Sequence, residues 1–392
     1  MKRLRVLSLS TLYPTDHSPN FGVFVERQMQ AVAARGDVDL VMVNPIGLPP
    51  FPLSLHPRYR ALRGLAQVEQ RGGVTVLRPR FQLLPGIGGR FNAAAEARAV
   101  LPVARRLHAE QPFDLIDAQF FYPDGPAAVR IAQALSLPSS IKARGFDVHH
   151  WGQAKSTATQ VRAAGQAATG LLAVSAGLAE DLAALGAPRA KITIHRTGLD
   201  RTVFRQLDQT ECRAKLGLPF GRPVLACVGA LIPRKGQRFA IEALAHIPDA
   251  VLIIAGAGGD EASLRALAAQ QGVSARVHFL GPVPQADLPV VLSAADVFVL
   301  PTASEGLANA WVEALACGTP VVTTLIAGAQ ELLTDPAWGR MVPRDPAAIA
   351  AAVNDLLAAP PSRAAVAAAV AGFSWEANAA TLVAYWRRLA GS

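Results

Sequence analysis

Residues 297–323 read VFVLPTASEGLANAWVEALACGTPVVT and contain the pattern that decides the fold. The uninterrupted apolar run Val297–Leu300 predicts a buried strand, and a proline ends it. A polar loop follows, and then a helix over Asn309–Ala316 that stops before Gly318, a typical C-terminal glycine of a helix. The next apolar run begins at Val321. A strand, a helix and a second strand in this order predict a parallel β-α-β unit.

The same alternation of short apolar runs and Ala/Leu-rich stretches extends along the whole chain, which predicts an α/β protein with parallel sheets. The predicted strands are Leu4–Leu9, Val38–Val43, Val74–Leu77, Leu115–Asp117, Ser140–Lys142, Gly170–Val174, Ile192–Ile194, Val224–Val228, Val251–Ala255, Val277–Leu280, Val297–Leu300 and Val321–Thr323. The predicted helices are Glu26–Ala34, Asn92–His108, Pro126–Ala134, Ala179–Ala184, Phe239–Ala245, Ala262–Gln270 and Asn309–Ala316. A Pro-rich stretch, residues 45–57, is predicted to be a loop.

Length and composition exclude several classes of protein. A chain of 392 residues is too long for one ordinary core and predicts two domains, with residues 197–208 as the linker. With 51% apolar and only 17% charged residues, the chain is not intrinsically disordered. The three cysteines stand too far apart for a zinc site, and their odd number argues against a disulfide scaffold, which favours a reducing, cytoplasmic location. The two longest uncharged stretches contain prolines or glycines that argue against a membrane-spanning helix.

The charge is unevenly distributed along the chain. Residues 1–205 hold 25 Lys and Arg against 14 Asp and Glu, a net charge of +11, whereas residues 206–392 hold 13 against 15, a net charge of −2. This asymmetry favours an acidic partner for the first half, such as a phosphorylated substrate or an anionic membrane surface; dispersed, solvated arginines are the alternative. No basic cluster is interleaved with aromatic residues, so nucleic acid is not an expected partner.

Two carboxylates stand out in the loop and helix that follow the strand at 297–300. Glu305 and Glu313 are eight residues apart, so a continuous helix would place them roughly 80° apart on one side. Carboxylates accept paired hydrogen bonds from sugar and ribose hydroxyls, and Gly306 would let the backbone approach a ligand closely. The alternative is structural: Glu305 assists the helix N-terminus and Glu313 is a solvated helix residue.

The surrounding sequence resembles a known family. Residues 304–322, SEGLANAWVEALACGTPVV, are similar to the E-x7-E hallmark of family 4 glycosyltransferases, which are retaining, nucleotide-sugar-dependent enzymes of the GT-B fold. Five further segments resemble motifs of that family: residues 228–236 (VGALIPRKG), 252–258 (LIIAGAG), 277–281 (VHFLG), 197–204 (TGLDRTVF) and 20–28 (NFGVFVERQ). These motifs together cover nearly the whole chain.

The resemblance implies an architecture. GT-B enzymes have two facing Rossmann-like domains, each a doubly wound parallel sheet, with a cleft between them. Here residues 1–203 would form the acceptor-side domain and residues 204–373 the nucleotide-sugar-binding domain. The segment 374–392 is predicted to be a helix that returns to the first domain, since Ser374 is a good N-cap and an apolar face follows it.

The resemblance also implies the roles of site residues. Arg234 and Lys235 follow a strand and would stabilise the negative charge that grows on the departing diphosphate. Glu305 would act with them, since it and the backbone amides after it would hold the hydroxyls of the donor sugar, and Glu313 would bind the nucleotide ribose. The remaining donor-binding residues on this interpretation are Gly306, Leu307, Ala308, Gly22 and Asp147; the loop at Gly22 would approach the diphosphate or the acceptor.

Two positions depart from the family pattern. Ala230 stands where many relatives have an arginine that binds phosphate, so Arg234 would compensate. Arg144 stands where many relatives have the histidine of an H-G-x-D motif; it can pair with phosphate but cannot act as a base, and we count it among the catalytic candidates. Asp147 ends this motif and is the alternative group for proton transfer, unless it is only a cap or loop residue.

Other motifs predict no metal site. Asp37 and Asp39 spell a D-x-D sequence but are better explained as a turn and strand entry. His149 and His150, taken as strand residues, would point to opposite faces. We therefore expect no cofactor and no metal, and a nucleotide-diphosphate sugar, UDP- or GDP-linked, as co-substrate.

The sequence thus predicts a retaining, metal-independent hexosyltransferase of envelope or exopolysaccharide biosynthesis. Its acceptor would be a glycan or a lipid-linked saccharide, and the protein would be cytoplasmic, associated with the inner face of the plasma membrane. The alternatives are another GT-B enzyme, such as a nucleotide-sugar epimerase, and a non-catalytic protein that binds sugar nucleotides.

Overall fold

The computed structural model describes residues 2–84 and 88–391 and divides the chain into two compact units. The first unit is Met1–Gly198 together with Trp375–Ser392, and the second is Leu199–Ser374. The division falls inside the segment 197–208 that the sequence marks as a linker. The boundary expected after residue 203 lies within the second unit.

The first unit contains a mainly parallel sheet, which has eight strands in the described residues, in the order β10-β9-β8-β7-β1-β2-β5-β4. All pairs are parallel except β4 with β5. Its strands are β1 (Leu4–Leu9), β2 (Val38–Val43), β4 (Val68–Arg71), β5 (Val74–Leu77), β7 (Leu115–Ala118), β8 (Ser139–Ala143), β9 (Gly170–Ala173) and β10 (Ile192–Ile194). Beside it, β3 (Ile46–Leu48) pairs with β6 (Arg80–Gln82).

The helices of the first unit connect these strands. They are α1 (Val23–Ala34), α2 (Pro57–Arg63), α3 (Asn92–Glu110), α4 (Asp124–Leu135), α5 (Ala158–Ala167) and α6 (Ala176–Ala184), with short 3-10 turns at Leu53–Leu55, Gly88–Arg90 and Arg189–Lys191 and a π-helical turn at Asp147–Trp151. The C-terminal helix α15 (Trp375–Ala390) also belongs to this unit.

The second unit contains a parallel sheet, six-stranded in the residues described, in the order β13-β12-β11-β14-β15-β16. Its strands are β11 (Val224–Val228), β12 (Val251–Ala255), β13 (Val277–Gly281), β14 (Val297–Leu300), β15 (Val321–Thr324) and β16 (Gly339–Val342). Its helices are α7 (Gln209–Lys215), α8 (Gln237–Leu244), α9 (Glu261–Gln270), α10 (Leu288–Ala294), α11 (Asn309–Ala316), α12 (Ala327–Leu332), α13 (Pro346–Ala358) and α14 (Arg363–Ala368), with a 3-10 turn at Ser274–Arg276.

The C-terminal helix completes a core of the first unit. Helix α15 packs against α1, and its apolar face contributes Leu382, Val383 and Trp386, which are buried with strand residues of β1 and β2. The indole N–H of Trp386 donates to the carboxylate of Asp117, 3.1 Å away. The last helix of the sequence is therefore part of the hydrophobic core of the first unit.

Replacing Leu382 with alanine should lower the free energy of unfolding by about 2–5 kcal/mol, because a fully buried side chain leaves a cavity. Thr381 is the matched control, since it is the neighbouring residue on the same helix and is exposed, and Thr381→Ala should cost about 0.5 kcal/mol or less. Urea denaturation of the full chain measures both. Equal midpoints and slopes for Leu382→Ala and the wild type would show that α15 does not stabilise this core.

The structure corrects several sequence-based predictions. The segment 45–57 is not wholly a loop, because it contains β3 and a 3-10 turn and ends at the start of α2. His149 and His150 lie in the π-helical turn and not on a strand. The predicted strands are all present, but β3, β4, β6 and β16 were not predicted because they are short edge or flanking strands. In the part of the chain that the structure describes, no helix combines the length and apolarity needed to cross a membrane.

Candidate functional site

The order of strands in the second unit brings two loops together. Strands β11 and β14 are parallel neighbours, so their carboxyl ends lie at the same edge of the sheet. The loop after β11 carries Arg234 and Lys235 and leads into α8, and the loop after β14 carries Glu305 and leads into α11. Residues 70 positions apart in the chain therefore meet where parallel α/β sheets commonly bind ligands.

Glu305 is the centre of an ionic cluster. One of its carboxylate oxygens, Oε1, accepts hydrogen bonds from Nη1 of Arg234 at 2.7 Å and from Nζ of Lys235 at 2.5 Å. The hydroxyl of Thr302 lies 3.3 Å from the same oxygen. Burial by itself would raise the pKa of Glu305, but Lys235 and Arg234 outweigh it and hold the pKa below its usual range. The carboxylate is ionised at neutral pH, and the cluster carries one excess positive charge.

The loop from Ser304 to Ala308 packs closely against the backbone of α12. Gly328, in α12, lies so close to Gly306 that a Cβ at position 328 would collide with the carbonyl oxygen of Gly306. Leu307 and Ala308 are buried, and α11 begins directly after them at Asn309. Glu305 therefore precedes the helix by several residues. The helical spacing expected between Glu305 and Glu313 does not apply, and only Glu313 lies on the helix.

Glu313 makes no hydrogen bond with the residues of this cluster in the part of the chain that the structure describes. Its Oε1 accepts a hydrogen bond from the amide of Gln285 at 3.3 Å. Burial raises the pKa of Glu313 to about 7, although the hydrogen bond from Gln285 acts in the opposite direction. Glu313 is thus a half-buried carboxylate on α11 with a raised pKa.

Two further residues, which no sequence motif indicates, support this site. Arg344, in the loop after β16, donates from Nη2 to the carbonyl oxygens of Pro233 and Arg234 at 2.7 and 3.0 Å, and from Nε to that of Pro301 at 2.8 Å. It joins the loops after β11 and β14. Gln285 is the second residue. Neither belongs to a motif, and only the folded chain shows their contacts.

In the first unit, Arg144 lies at the carboxyl end of β8 with its guanidinium held in one orientation. Nε donates to the backbone carbonyl of Gln119 at 2.6 Å, and Nη2 donates to the side-chain oxygens of Gln119 and Gln28 at 2.6 and 2.9 Å. The guanidinium also lies over the ring of Phe24, 4.8 Å from its centroid. Within residues 2–84 and 88–391, Nη1 donates no hydrogen bond to another protein group.

The two glutamines are themselves fixed by further buried groups. Gln119 donates to Asp117 at 2.7 Å, and Gln28 donates to the side-chain oxygen of Asn378 on α15 at 2.7 Å. Both amide oxygens therefore point at Arg144. Burial lowers the pKa of Arg144 to about 10, against the effect of Asp147 and Asp117, so the guanidinium stays charged at neutral pH. Gln28 ends the motif at 20–28, but the sequence alone assigns it no role.

Asp147 hydrogen-bonds to backbone. Its carboxylate accepts from the N–H groups of Phe121, Arg144, Gly145 and Val148, at distances between 2.7 and 3.2 Å. Burial raises its pKa, and these hydrogen bonds oppose that rise. These contacts match the alternative role of Asp147 as a cap or loop residue, and they fix the turn that carries Arg144. A ligand contact from Asp147 remains a prediction.

Gly22 adopts a backbone conformation that suits glycine. Its φ is 74°, and a Cβ there would collide with the backbone of Leu12 and Tyr13. Gly22 therefore lets the two ends of the loop between β1 and α1 pack closely together, and it is the N-cap of α1. Its expected approach to a diphosphate or an acceptor remains a prediction.

The residues with apparent metal-binding motifs have structural partners. Asp37 pairs with Arg35 and Arg387, and Asp39 pairs with Arg5. His149 lies 2.9 Å from Asp181. In the described residues, no group of three or more His, Cys, Asp or Glu side chains is placed to hold a metal ion.

Comparison with known proteins places the chain in a family. A family described as "Glycosyl transferases group 1" matches residues 208–371, and one described as "Glycosyl transferase 4-like domain" matches residues 21–198. The two matched ranges cover most of both units, and they contain the ionic cluster and Arg144 respectively. The chain belongs to the family 4 glycosyltransferases. It is therefore a transferase of the GT-B fold, as the sequence motifs predicted.

Similar proteins include other members with named roles. TuaC of Bacillus subtilis (strain 168), a glycosyltransferase named for teichuronic acid biosynthesis, is 29% identical to this glycosyltransferase over 361 residues, which are 90% of this chain and 88% of TuaC. The D-inositol 3-phosphate glycosyltransferase of Mycobacterium tuberculosis (strain ATCC 25177 / H37Ra) is 38% identical over 218 residues, 53% of this chain and 45% of that protein.

Solved structures share the fold of this glycosyltransferase. Sucrose-phosphate synthase from Thermosynechococcus elongatus has a TM-score of 0.82 at 22% identity, with all of both chains covered. HepE of Anabaena, solved with UDP and glucose, has a TM-score of 0.75 at 20% identity and covers 98% of this chain and 100% of its own. At these identities the likeness concerns the fold.

Proposed function

We propose that this glycosyltransferase transfers a hexose from a nucleotide-diphosphate sugar, UDP- or GDP-linked, to a glycan acceptor, with retention of configuration. The observation that carries the proposal is the half-buried cluster of Arg234 and Lys235 on Glu305. Two cations fixed at the carboxyl edge of a parallel sheet are suited to the charge that develops on a departing diphosphate. The carboxylate between them orients both cations and can accept hydrogen bonds from sugar hydroxyls through its remaining lone pairs.

Two helix N-termini support the same assignment. Helices α8 and α11 begin directly after the two loops of the cluster, and their N-cap residues, Gly236 and Ala308, make no side-chain capping hydrogen bond. The first backbone N–H groups of each helix are therefore available to oxygen atoms of a ligand. Leu307 and Ala308, which directly precede α11, would add their own amides to the donor site, as the family motif implies.

In this proposal leaving-group stabilisation comes from fixed protein cations, and the departing phosphate assists the incoming hydroxyl. Arg144 presents the two N–H groups of Nη1 and supplies a further positive charge, but it takes no proton. We propose that no metal is required.

We further propose a glycan or lipid-linked saccharide as acceptor, in envelope or exopolysaccharide biosynthesis. TuaC, which aligns with 90% of this chain, is named for teichuronic acid biosynthesis. The excess positive charge of the first half of the chain suits an acceptor with a diphosphate-lipid anchor. A protein with such an acceptor would work in the cytoplasm at the inner face of the plasma membrane.

Release of nucleoside diphosphate tests the function. With a panel of UDP- and GDP-hexoses and lipid-linked saccharides extracted from a bacterial envelope, release should depend on the acceptor and should continue in EDTA. Conversion of the donor sugar without an acceptor would instead show an epimerase. Binding without any turnover would show a non-catalytic protein. Inactivation by EDTA with rescue by Mn²⁺ would overturn the metal-independent proposal.

Glu313→Gln should weaken binding of the nucleoside diphosphate by about 10- to 100-fold, because a neutral amide replaces an ionised acceptor of two ribose hydrogen bonds. Since the pKa of Glu313 is raised to about 7, the carboxylate is protonated below that pH and the wild type should lose affinity there. Titration calorimetry between pH 5.5 and 8.5 measures the affinity of both proteins for the nucleoside diphosphate. Because the phosphates of the ligand ionise equally in both titrations, their effect cancels when the two affinities are compared. The difference should grow with pH.

The same substitution has an opposite effect on stability. The pKa of Glu313 is higher in the folded state, so ionisation destabilises the unliganded protein once the pH exceeds about 4.5, with the full cost above about 7. Glu313→Gln should therefore raise the melting temperature at pH 8 but not at pH 4.5. Unchanged affinity together with this stabilisation would show that Glu313 does not contact the nucleotide.

A further inference from the structure

One surface segment of the first unit combines exposed apolar and basic side chains. We call residues 51–63 the apolar–basic segment; it comprises the 3-10 turn Leu53–Leu55 and helix α2. Phe51 is 79% exposed, Leu53 is 53% exposed and Leu55 is 47% exposed. Three large apolar side chains within five residues of sequence are unusual on a surface that only contacts water.

The positive charge of this segment is not neutralised within the protein. Arg60 and Arg63 are exposed, and neither has a carboxylate partner in the described residues; the side chain of Arg58 lies outside the description. The sequence holds no Asp or Glu between Asp39 and Glu69. By contrast, Arg71 and Arg78, a short distance further along the chain, both form ion pairs with Glu69.

The segment is also folded and supported. The turn Leu53–Leu55 contacts α2, and α2 contacts β3. The rings of His56 and Tyr59 pack edge to face, with centroids 6.3 Å apart. Because the backbone of the segment is already folded, less conformational entropy is lost when its apolar side chains enter a surface.

From these observations we propose that the apolar–basic segment inserts Phe51, Leu53 and Leu55 into an anionic lipid surface while Arg60 and Arg63 contact its headgroups. Apolar side chains beside basic ones are suited to the headgroup–acyl boundary of a bilayer. The inference rests on the proposed function in one respect, because a lipid-linked acceptor would require the enzyme to reach the membrane surface.

The charges argue for this occupant over a second copy of the chain. A two-fold contact through the segment would bring the arginines of one copy against those of the other, with no carboxylate of the segment to pair with them. An anionic surface supplies the missing negative charge. Dimerisation is accordingly an outcome that would overturn the proposal.

The test is co-sedimentation of the full chain with vesicles of phosphatidylcholine and with vesicles of two parts phosphatidylcholine to one part phosphatidylglycerol. The wild type should bind only the anionic vesicles, and less at high salt. The double variant Phe51→Ser/Leu53→Ser should bind about tenfold more weakly or worse. Arg60→Gln/Arg63→Gln should weaken binding to the anionic vesicles by a similar factor, and most of the salt dependence of binding should disappear.

A matched control comes from the second unit. Phe220 is 63% exposed and Arg222 lies two residues after it, so Phe220→Ser/Arg222→Gln removes an exposed ring and a nearby arginine elsewhere and should leave binding unchanged. Equal binding by wild type and segment variants would overturn the proposal. So would a wild-type dimer that Phe51→Ser/Leu53→Ser converts to a monomer.

A second measurement separates this inference from the proposed function. Transfer to a water-soluble acceptor saccharide without vesicles should be the same for the wild type and the segment variants. If transfer persists but no protein binds anionic vesicles, the membrane contact is wrong and the transferase proposal stands. If vesicle binding behaves as expected but no sugar nucleotide is turned over, the contact stands and the proposed reaction is wrong.

Discussion

Lys235→Met should lower kcat by about 100- to 1000-fold while changing the affinity for the intact sugar nucleotide much less. Methionine keeps most of the aliphatic stem but removes the ammonium group. The positive charge matters most when negative charge accumulates on the departing diphosphate, so its loss should fall mainly on the transition state. Initial rates at saturating donor and calorimetric affinities for the donor give the two quantities separately.

The structure explains why the loss should not simply unfold the site. In the wild type, Glu305 accepts from both Lys235 and Arg234, so Lys235→Met leaves the carboxylate with Arg234 and Thr302. A buried charge without any partner would destabilise the protein strongly, but here one cation remains. We expect a modest decrease in melting temperature and a large decrease in turnover.

Arg238→Met is the matched control for Lys235→Met. Arg238 lies in α8, three residues after Lys235, and its exposed side chain pairs with Glu242 in the same helix. Its removal should leave kcat within about twofold, since an exposed helix pair contributes little. If Lys235→Met lowered donor affinity and kcat by the same factor, Lys235 would only anchor the donor. If it changed neither, the ionic cluster would not be the diphosphate site.

Much of the fold could be predicted because periodicity and turn chemistry are local. The segment 297–323 folds into β14, α11 and the start of β15, nearly at the predicted residues, since a buried parallel strand needs an uninterrupted apolar run. Short edge elements escaped prediction. Strand β16 is only partly buried along its length, and α2 begins within a Pro-rich stretch, so neither has the pattern that identifies a strand or a helix.

The candidate site could be predicted only in part. Arg234, Lys235 and Glu305 were named from motifs, and the order of strands places them in contact. The predicted angle of roughly 80° between Glu305 and Glu313 was wrong, because α11 begins after Glu305 and no single helix contains both residues. Arg344, Gln285 and Gln119 were missed because their hydrogen bonds join chain segments that are distant in sequence, and no local pattern specifies such a pair.

The fixed orientation of Arg144 leads to the second large effect. Arg144→Ala should lower kcat by about 100-fold, because the two N–H groups of Nη1 and a charge that persists at neutral pH are removed together. The side-chain oxygens of Gln119 and Gln28 would lose a hydrogen-bond donor at the same time, which should also lower the free energy of unfolding by about 1–3 kcal/mol. Stability alone therefore does not identify the role of Arg144.

Chemical rescue separates the two effects. The space left in Arg144→Ala is bordered by Gln119, Gln28 and the ring of Phe24, three groups that suit a planar cation. Guanidinium at millimolar concentration should restore part of kcat in Arg144→Ala, and ammonium should restore less, because it cannot reproduce the fork of N–H groups. Arg162→Ala is the control: Arg162 is an exposed arginine of α5 and its variant should neither lose activity nor respond to guanidinium. A folded Arg144→Ala with wild-type kcat would show that Arg144 supports the first unit and does not act on the substrate.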